Sequence, residues 1–287
     1  MIAKRRLSDR IGIAMDGVDL SKPLSEAAFR EVEQAFWEGQ VLAIKGQQLE
    51  PAAFLAFARR FGPPEPHVID TFHHPAEKNI LILSNRRKPD GSPAGLADGG
   101  TYFHTDYSYL AVPARVTMLY SVEVPSVGGN TLFADMYGAY EDLPEATKRR
   151  IDGLTVLHHY GNRDDLDERS RTAASALSAD QKAKVTWVKH PLVRTHYGTG
   201  RKALYAVSGS SFQIEGMSSE EGVGLLDELK RHALQDKYRF SYAYDIGDVV
   251  LWDDLATLHS ATLTHPNDPR TLWRITVKEP PATGASA

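Results

Sequence analysis

The chain contains no cysteine among its 287 residues. Disulfides, iron–sulfur clusters and thiolate zinc sites are therefore excluded, and any bound metal must take nitrogen or oxygen ligands. No stretch offers the roughly 18 uninterrupted apolar residues of a membrane helix, and the basic start is followed by too few apolar residues for a signal peptide. We therefore expect a cytoplasmic protein that does not bind membranes.

No tract of one charge sign dominates the sequence. The formal net charge is -4 and the isoelectric point is about 6.3, with acidic and basic residues interspersed. A nucleic-acid partner is not expected for such a chain. Because 42% of the residues are apolar, the chain can bury a substantial core without cross-links.

Hydrophobic periodicity predicts many short strands, with helices gathered at the start and in insertions. The predicted helices are 25–38, 51–61, a stretch near 137–151, and 218–235, whose start has the capping-box pattern of Ser218 and Glu221. The predicted strands are 41–44, 79–83, 115–124, 131–134, 203–207, 238–244, 249–252 and 274–278, and a hairpin turn at 245–248 is predicted to join 238–244 to 249–252. Two further segments read as a mobile loop (85–101) and an excursion or lid (163–184). This pattern predicts a mainly β fold with flanking helices, a sandwich or jelly roll.

The first chemical motif is His104-Thr105-Asp106. On a strand, residues i and i+2 point to the same face, so His104 and Asp106 could bind one ion together. The simpler alternative is that they bond to each other near a surface turn. His259 follows the apolar strand 249–252 and could supply a third ligand, unless it is a partly buried histidine bonded to backbone. Two imidazoles and one carboxylate suit one face of an octahedral ferrous ion and leave the other face open.

Five motifs in order make this pattern more specific. They are Phe103-His104-Thr105-Asp106, the Gly-Gly-Asn-Thr-Leu-Phe run at 128–133, His-Pro-Leu-Val-Arg-Thr-His at 190–196, Gly-Arg-Lys at 200–202, and the tract 247–259. Together they resemble the taurine dioxygenase family, which includes 2,4-dichlorophenoxyacetate dioxygenase and belongs to the iron(II)- and 2-oxoglutarate-dependent oxygenases. The similarity runs from about Asp19 to Val277.

The resemblance implies a double-stranded β-helix, a cupin-like jelly roll, formed by a single domain over 1–287 with lid segments near 85–103 and 160–190. His104, Asp106 and His259 match the family's iron ligands. Arg270, eleven residues after His259, and Thr131 match the residues that bind 2-oxoglutarate. A planar guanidinium suits a carboxylate because two parallel hydrogen bonds fix its orientation. The alternative for Arg270 is a surface arginine at a junction between loop and strand.

The resemblance also implies three substrate contacts, which are His67, the backbone amide of Tyr107, and Arg274. Arg274 matches an arginine that binds a sulfonate in taurine dioxygenase, which predicts an anionic substrate. Gly100 replaces an asparagine that contacts substrate in that enzyme, and the loop 85–101 resembles the aryloxyalkanoate branch more closely. Taurine itself is therefore not the expected substrate. We expect His158, His159 and His196 to have structural or lid roles.

The implied activity is hydroxylation of a small anionic sulfonate or carboxylate, aryloxyalkanoates included. Fe(II) and dioxygen take part, and the cosubstrate 2-oxoglutarate is converted to succinate and CO2. Asp106 favours hydroxylation, since related halogenases lack this carboxylate. A biosynthetic oxidation of an amino acid or carboxylate, a cupin-like binding protein without turnover and a zinc hydrolase remain as alternatives. Homodimers or homotetramers are the assemblies that the family suggests.

Overall fold

The structure is a computed structural model, and it describes residues 2–67, 69–97, 100–160 and 186–279. The predicted excursion at 163–184 lies outside these ranges, whereas the loop 85–101 is described except for residues 98 and 99. Within the described ranges, no helix has both the length and the apolar character needed to cross a bilayer.

The described helices are α1 (Glu26–Gly39), α2 (Pro51–Ala58), α3 (Met136–Glu141), α4 (Glu145–Ile151) and α5 (Ser219–Ala233). The strands of the first half are β1 (Ala3–Arg6), β2 (Ile13–Asp16), β3 (Val41–Ile44), β4 (Pro64–Glu65), β5 (Leu81–Ser84), β6 (Ala114–Glu123), β7 (Thr131–Asp135) and β8 (Thr155–His158). The strands of the second half are β9 (Val188–Pro191), β10 (Val193–Thr195), β11 (Lys202–Leu204), β12 (Ser211–Ile214), β13 (Arg239–Tyr242), β14 (Val249–Asp253), β15 (Thr257–Ala261) and β16 (Thr271–Lys278).

One large sheet forms the back of the molecule. Its strands follow the order β1-β2-β3-β14-β6-β16-β4, and β5 pairs with β16. The pairs are antiparallel except for β2 with β3. Strand β3 is buried along its whole length, with Leu42 and Ile44 in the core beneath the helices and Val41 and Ala43 in the core of the opposite face. A strand covered on both faces must be a continuous apolar run, which explains why its pattern does not alternate.

A second layer of short antiparallel strands faces the large sheet. It includes the sheet β13-β7-β15, and β12-β8-β9 and β10-β11 extend the fold beside it. Phe133 of β7 and Trp252 of β14 meet between the layers with ring centroids 5.4 Å apart. These two facing layers, wrapped by helices, are the jelly roll that the sequence predicts.

The two long helices begin where their capping residues predict. In α1 the Ser25 side chain accepts a hydrogen bond from the Ala28 amide, and Phe29, Val32 and Phe36 are buried. In α5 Ser218 and Glu221 form the complete reciprocal capping box. Each cap satisfies amides that the first turn of a helix leaves without partners.

Two details of the sequence prediction are wrong. His104 and Asp106 do not share a strand, because His104 forms an isolated bridge with His259 and the chain then turns, with Tyr107 at φ 52°. The turn after β13 does not close a hairpin either, because β13 pairs with β7 whereas β14 pairs with β3 and β6. Alternation along a strand identifies its buried face but not its partner, so both errors concern pairing between distant segments.

Candidate metal centre and active site

Three side chains from distant parts of the chain converge at the open end between the layers. The Nε2 atom of His104 lies 3.6 Å from Oδ1 of Asp106, and Nε2 of His259 lies 3.5 Å from Oδ2 of Asp106. These distances are too long for hydrogen bonds, so the histidines and the aspartate do not simply bond to each other. Ligand atoms on one ion with bonds of about 2.1 Å lie roughly 3 to 3.5 Å apart, so this spacing suits a shared cation.

The protonation states also suit a metal. Nδ1 of His104 lies 2.8 Å from the Tyr102 carbonyl, which holds the ring proton there and leaves a lone pair on Nε2. Burial and the neighbouring His104 keep the pKa of His259 well below its usual value, so this imidazole is neutral. Burial opposes ionisation of Asp106, yet Arg274 and the two histidines outweigh it and hold the pKa of Asp106 well below its usual value.

Two imidazoles and one carboxylate without a thiolate form a donor set that fits iron(II). In the described part of the chain, this is the one cluster of three acidic or histidine side chains able to hold an ion. The backbone fixes the cluster, because the amides and carbonyls of His104 and His259 exchange two hydrogen bonds of 2.9 Å.

All eight predicted site residues line one cavity. The predicted residues on its wall are His67, His104, Asp106, Tyr107, Thr131, His259, Arg270 and Arg274. The tertiary structure therefore brings the complete predicted set together.

Arg270 and Thr131 lie on the wall of this cavity. Arg270 is buried, and its Nε donates to the Gly129 carbonyl over 3.3 Å. The Thr131 hydroxyl lies 2.7 Å from the hydroxyl of Tyr244, a residue that also lines an adjoining pocket with Arg270. Sequence reasoning missed Tyr244, because nothing in its position after β13 indicates that it reaches β7.

Three glycines let the chain pass close to the functional side chains. A Cβ at Gly100 would lie 2.5 Å from the ring of His104, and a Cβ at Gly209 would lie 2.6 Å from the His104 Cβ. At Gly129 a Cβ would lie 3.0 Å from Arg270. All three have positive φ, which further favours glycine. The sequence contained a partial signal, since Gly100 and Gly129 stand near the motifs.

Arg274 lies on β16 and reaches the metal cluster. Its Nη2 is 2.7 Å from Oδ1 of Asp106, and its guanidinium carbon lies 5.8 Å from the centre of the Tyr107 ring. His67 lies near Tyr107, with ring centroids 6.1 Å apart, and its Nδ1 accepts a hydrogen bond from the Ile69 amide. Burial and the nearby Arg274 lower the pKa of His67 to about 3, so the ring is neutral and its proton stands on Nε2.

Four tyrosines form an aromatic side of the cavity, which we call the tyrosine wall: Tyr102, Tyr107, Tyr109 and Tyr160. The ring of Tyr109 lies 5.9 Å from that of Tyr107 and 4.4 Å from that of Tyr160. Burial raises the pKa of Tyr109 well above its usual value, so its hydroxyl stays protonated. From the sequence we expect Tyr102, Tyr107 and Tyr109 to serve in packing first and as substrate walls second, whereas nothing in it singles out Tyr160.

The histidines without a predicted ligand role lie outside the metal cluster. Nε2 of His196 lies 2.9 Å from Oδ2 of Asp253, while its Nδ1 accepts from the amides of Gly198 and Thr199. These contacts tie the turn after β10 to the end of β14. His158 is fully buried, with its ring centroid 5.3 Å from that of His190.

Comparisons with known proteins agree with this geometry. Residues 4–276 match the family model described as taurine catabolism dioxygenase TauD, TfdA family. The alpha-ketoglutarate-dependent 2,4-dichlorophenoxyacetate dioxygenase of Burkholderia sp. (strain RASC) is 33% identical over 254 residues, which cover 85% of this chain and 84% of that protein. Pentalenolactone F synthase of Streptomyces arenae is 31% identical, with 92% of this chain and 91% of that protein covered.

A solved structure is also similar throughout its length. The crystal structure of AAD-2 in complex with Mn(II) and N-oxalylglycine has a TM-score of 0.80 and 30% sequence identity, and the match covers 98% of each chain. The family model spans nearly the whole sequence, and the fold and the cluster of two histidines and one aspartate agree with it. The chain therefore belongs to the TauD/TfdA family of dioxygenases.

Proposed function

We propose that this protein is an iron(II)- and 2-oxoglutarate-dependent dioxygenase that hydroxylates a small organic anion carrying an aromatic ring, with aryloxyalkanoates as the favoured class. The single observation that carries the proposal is the composition of one cavity. It holds the His104, Asp106 and His259 cluster, two arginines, and the tyrosine wall.

In this proposal His104, Asp106 and His259 hold the iron and form the catalytic centre, and Arg270 and Thr131 bind 2-oxoglutarate. Bound iron and 2-oxoglutarate supply the oxidising chemistry, in which one oxygen atom of dioxygen enters the substrate and the other enters succinate as CO2 leaves. Arg270 is buried beside Gly129, so its guanidinium meets a carboxylate away from water, where each hydrogen bond is stronger. The Thr131 hydroxyl can donate to the same carboxylate.

Arg274, His67 and the Tyr107 amide bind the substrate anion in this proposal. The Arg274 side chain is largely buried, at 14% exposure, and it stands 2.7 Å from the Asp106 carboxylate. An anion held by Arg274 therefore lies next to the metal cluster, which brings the carbon beside that anion close to the oxidant. His67 is neutral and can donate from Nε2 without adding charge.

The tyrosine wall favours a ring over a short aliphatic tail. Flat aromatic side chains stack on aromatic ligands and contribute about 0.5–1.5 kcal/mol per pair beyond their buried area. The 2,4-dichlorophenoxyacetate dioxygenase relative is named for such a ligand. Hydroxylation of an aryloxyacetate at the carbon between oxygen and carboxylate gives a hemiacetal, which breaks into a phenol and glyoxylate. A catabolic role follows from that chemistry.

We also infer a single domain in which the segment 85–103 acts as a lid. Leu96, Ala97 and Thr101 of this segment line the cavity, which supports this inference. The other predicted lid, 160–190, lies mostly outside the described residues. Homodimers or homotetramers remain a prediction from the family. A biosynthetic oxidation is the second candidate, favoured by the similarity to pentalenolactone F synthase.

The decisive experiment measures succinate release with Fe(II), ascorbate and 2-oxoglutarate. The substrates compared are phenoxyacetate, 2,4-dichlorophenoxyacetate, ethoxyacetate, taurine and the uncharged phenoxyethanol. We expect the two aryloxyacetates to stimulate succinate release most. Each should yield its phenol in an amount equal to the succinate released. The ring-free and uncharged compounds lack one of the two recognised groups and should give much lower kcat/KM.

Arg274→Ala tests the anion contact, and Arg201→Ala serves as the control because Arg201 pairs with Glu141 on the surface. We expect Arg274→Ala to raise KM for phenoxyacetate at least about 10-fold, the loss of one charge-assisted contact. A variant that discriminates among the anions as the wild type does would contradict the assignment of Arg274. If no compound and no condition yields succinate, the dioxygenase proposal itself is wrong.

A further inference from the structure

A buried threonine connects the metal cluster to a second carboxylate. Thr117 lies on β6 with no solvent exposure, and its hydroxyl is 2.7 Å from Oδ2 of Asp106. The same hydroxyl is 2.8 Å from Oδ2 of Asp254 and 3.2 Å from the hydroxyl of Thr276. Every one of these groups belongs to a residue at most 4% exposed. The hydroxyl carries a single proton, which it donates to one of these carboxylate oxygens at a time, and in this dry environment such a hydrogen bond is strong.

Asp254 holds Asp106 from a second side. Its Oδ1 accepts hydrogen bonds of 3.2 Å from the Asp106 amide and from the indole of Trp252. Its own amide donates to the Arg115 carbonyl over 3.1 Å, which fixes Asp254 to the start of β6. Asp254 thus contacts the backbone of Asp106 directly and its side chain through Thr117.

We propose that Thr117, anchored by Asp254, is a positioning residue for the metal-binding carboxylate of Asp106. This inference rests on the proposed function, because it takes Asp106 as a metal ligand. The torsion that turns a carboxylate about its own axis is soft, so a free aspartate on a turn presents its oxygens in many orientations. The Thr117 hydroxyl occupies one lone pair of Oδ2 and so fixes the plane in which both oxygens face His104 and His259.

The pairing of strand β6 does not use the Thr117 hydroxyl. Valine has nearly the same shape and an equal preference for strands, and Thr117 is paired across β6 with Trp252 and Thr276 in a regular antiparallel ladder. A purely structural position of this kind would suit valine as well as threonine. The hydroxyl points instead at two carboxylates, and this is the arrangement by which outer groups orient a metal ligand.

Thr117→Val, Thr117→Ser and Ser121→Ala test the inference. Ser121 is the matched control, since it is a buried hydroxyl on the same strand and donates to the Asp245 carbonyl over 2.6 Å, away from Asp106. The probe is Co(II), which is stable in air, titrated by calorimetry and by its visible absorption. The thermal midpoint of the metal-free protein is measured for each variant.

We expect Thr117→Val to weaken Co(II) binding about 10- to 100-fold, the usual effect of losing a group that orients a ligand. Its Co(II) absorption should also change, because the carboxylate is no longer held in one plane. Thr117→Ser and Ser121→Ala should stay within about 3-fold of the wild type. Asp254→Asn keeps an acceptor for the Asp106 amide that Asp254→Ala removes, so it should bind Co(II) better than Asp254→Ala.

The outcomes separate this inference from the proposed function. Wild-type affinity and absorption in Thr117→Val would overturn the inference while leaving the dioxygenase proposal intact. A Thr117→Val protein that fails to fold would overturn it too, because the hydroxyl would then serve folding. If Asp106→Ala binds Co(II) as the wild type does, the metal site itself is wrongly assigned and the proposed function fails with it.

Discussion

His104 and His259 exchange two backbone hydrogen bonds, each 2.9 Å long, although they stand in distant parts of the sequence. Their ring centroids lie 4.2 Å apart as a result. The separation of the two imidazoles is thus set by backbone pairing between β15 and the segment after Phe103. The side-chain rotamers then set only the final positions of the ring nitrogens. The cluster is therefore preorganised for an ion.

Removal of one histidine should greatly weaken metal binding. His259→Ala is expected to weaken Co(II) binding more than about 100-fold and to stop succinate release, because losing a ligand costs more than losing a group behind it. Calorimetric titration and a succinate assay measure the two effects. His265→Ala is the control, since His265 lies on an exposed turn. Unchanged Co(II) affinity in His259→Ala would remove this residue from the site.

For 2-oxoglutarate binding, the two parallel hydrogen bonds that the Arg270 guanidinium can donate should matter more than its charge. Arg270→Lys keeps the positive charge but loses the two parallel hydrogen bonds, so we expect KM for 2-oxoglutarate to rise about 10- to 100-fold, or about 1.4–2.7 kcal/mol. Initial rates at varied 2-oxoglutarate check this, with Arg201→Lys as the surface control. A KM equal to that of the wild type would show that another group binds the cosubstrate.

A methyl group at Gly100 should disturb the metal cluster. Gly100→Ala places a Cβ 2.5 Å from Cε1 of His104, whereas Gly91→Ala meets nothing within 4 Å. Both glycines have positive φ, at 75° and 82°, so both variants carry a similar backbone strain of about 1 kcal/mol. We expect only Gly100→Ala to weaken Co(II) binding. Equal Co(II) affinities in the two variants would contradict the close approach to His104.

His158 should make the protein sensitive to acid. Burial lowers its pKa to about 3, and neither ring nitrogen has a hydrogen-bond partner among the described residues. The unfolded chain takes up a proton near pH 6.5 and the folded state does not. The free energy of unfolding should therefore fall by up to about 1.4 kcal/mol per pH unit below that value, from this group alone.

Urea unfolding of the wild type and of His158→Phe between pH 7.5 and 5 measures this contribution. Phenylalanine has no polar ring atoms and takes up no proton on unfolding. The pH dependence of the free energy of unfolding should therefore decrease in the variant by the contribution of about one proton, while its stability at pH 7.5 is kept. His265→Ala is again the control, because His265 is exposed. An identical pH slope in the wild type and in His158→Phe would show that His158 does not titrate on unfolding in this range.

Local patterns predicted much of the fold. The buried strand 41–44 is β3 without change of bounds, and the capping residues Ser25 and Ser218 mark the starts of α1 and α5. Such features depend on neighbours along the chain, through hydrogen bonds within one turn or through burial of one short segment. Short strands such as β8 and β15 were missed, because four or five residues without clear alternation resemble any loop.

The sequence by itself determined the chemistry that is available: with no cysteine, a metal must be bound by nitrogen and oxygen, and the motifs around His104 and His259 predict those ligands. Only the tertiary structure decided which other groups surround them. Thr117 and Tyr160 carry no motif, and they reach the site through strand register and loop packing. Periodicity records which face of a segment is buried, but not which distant segment covers it, and that contact is made only when the sheets assemble.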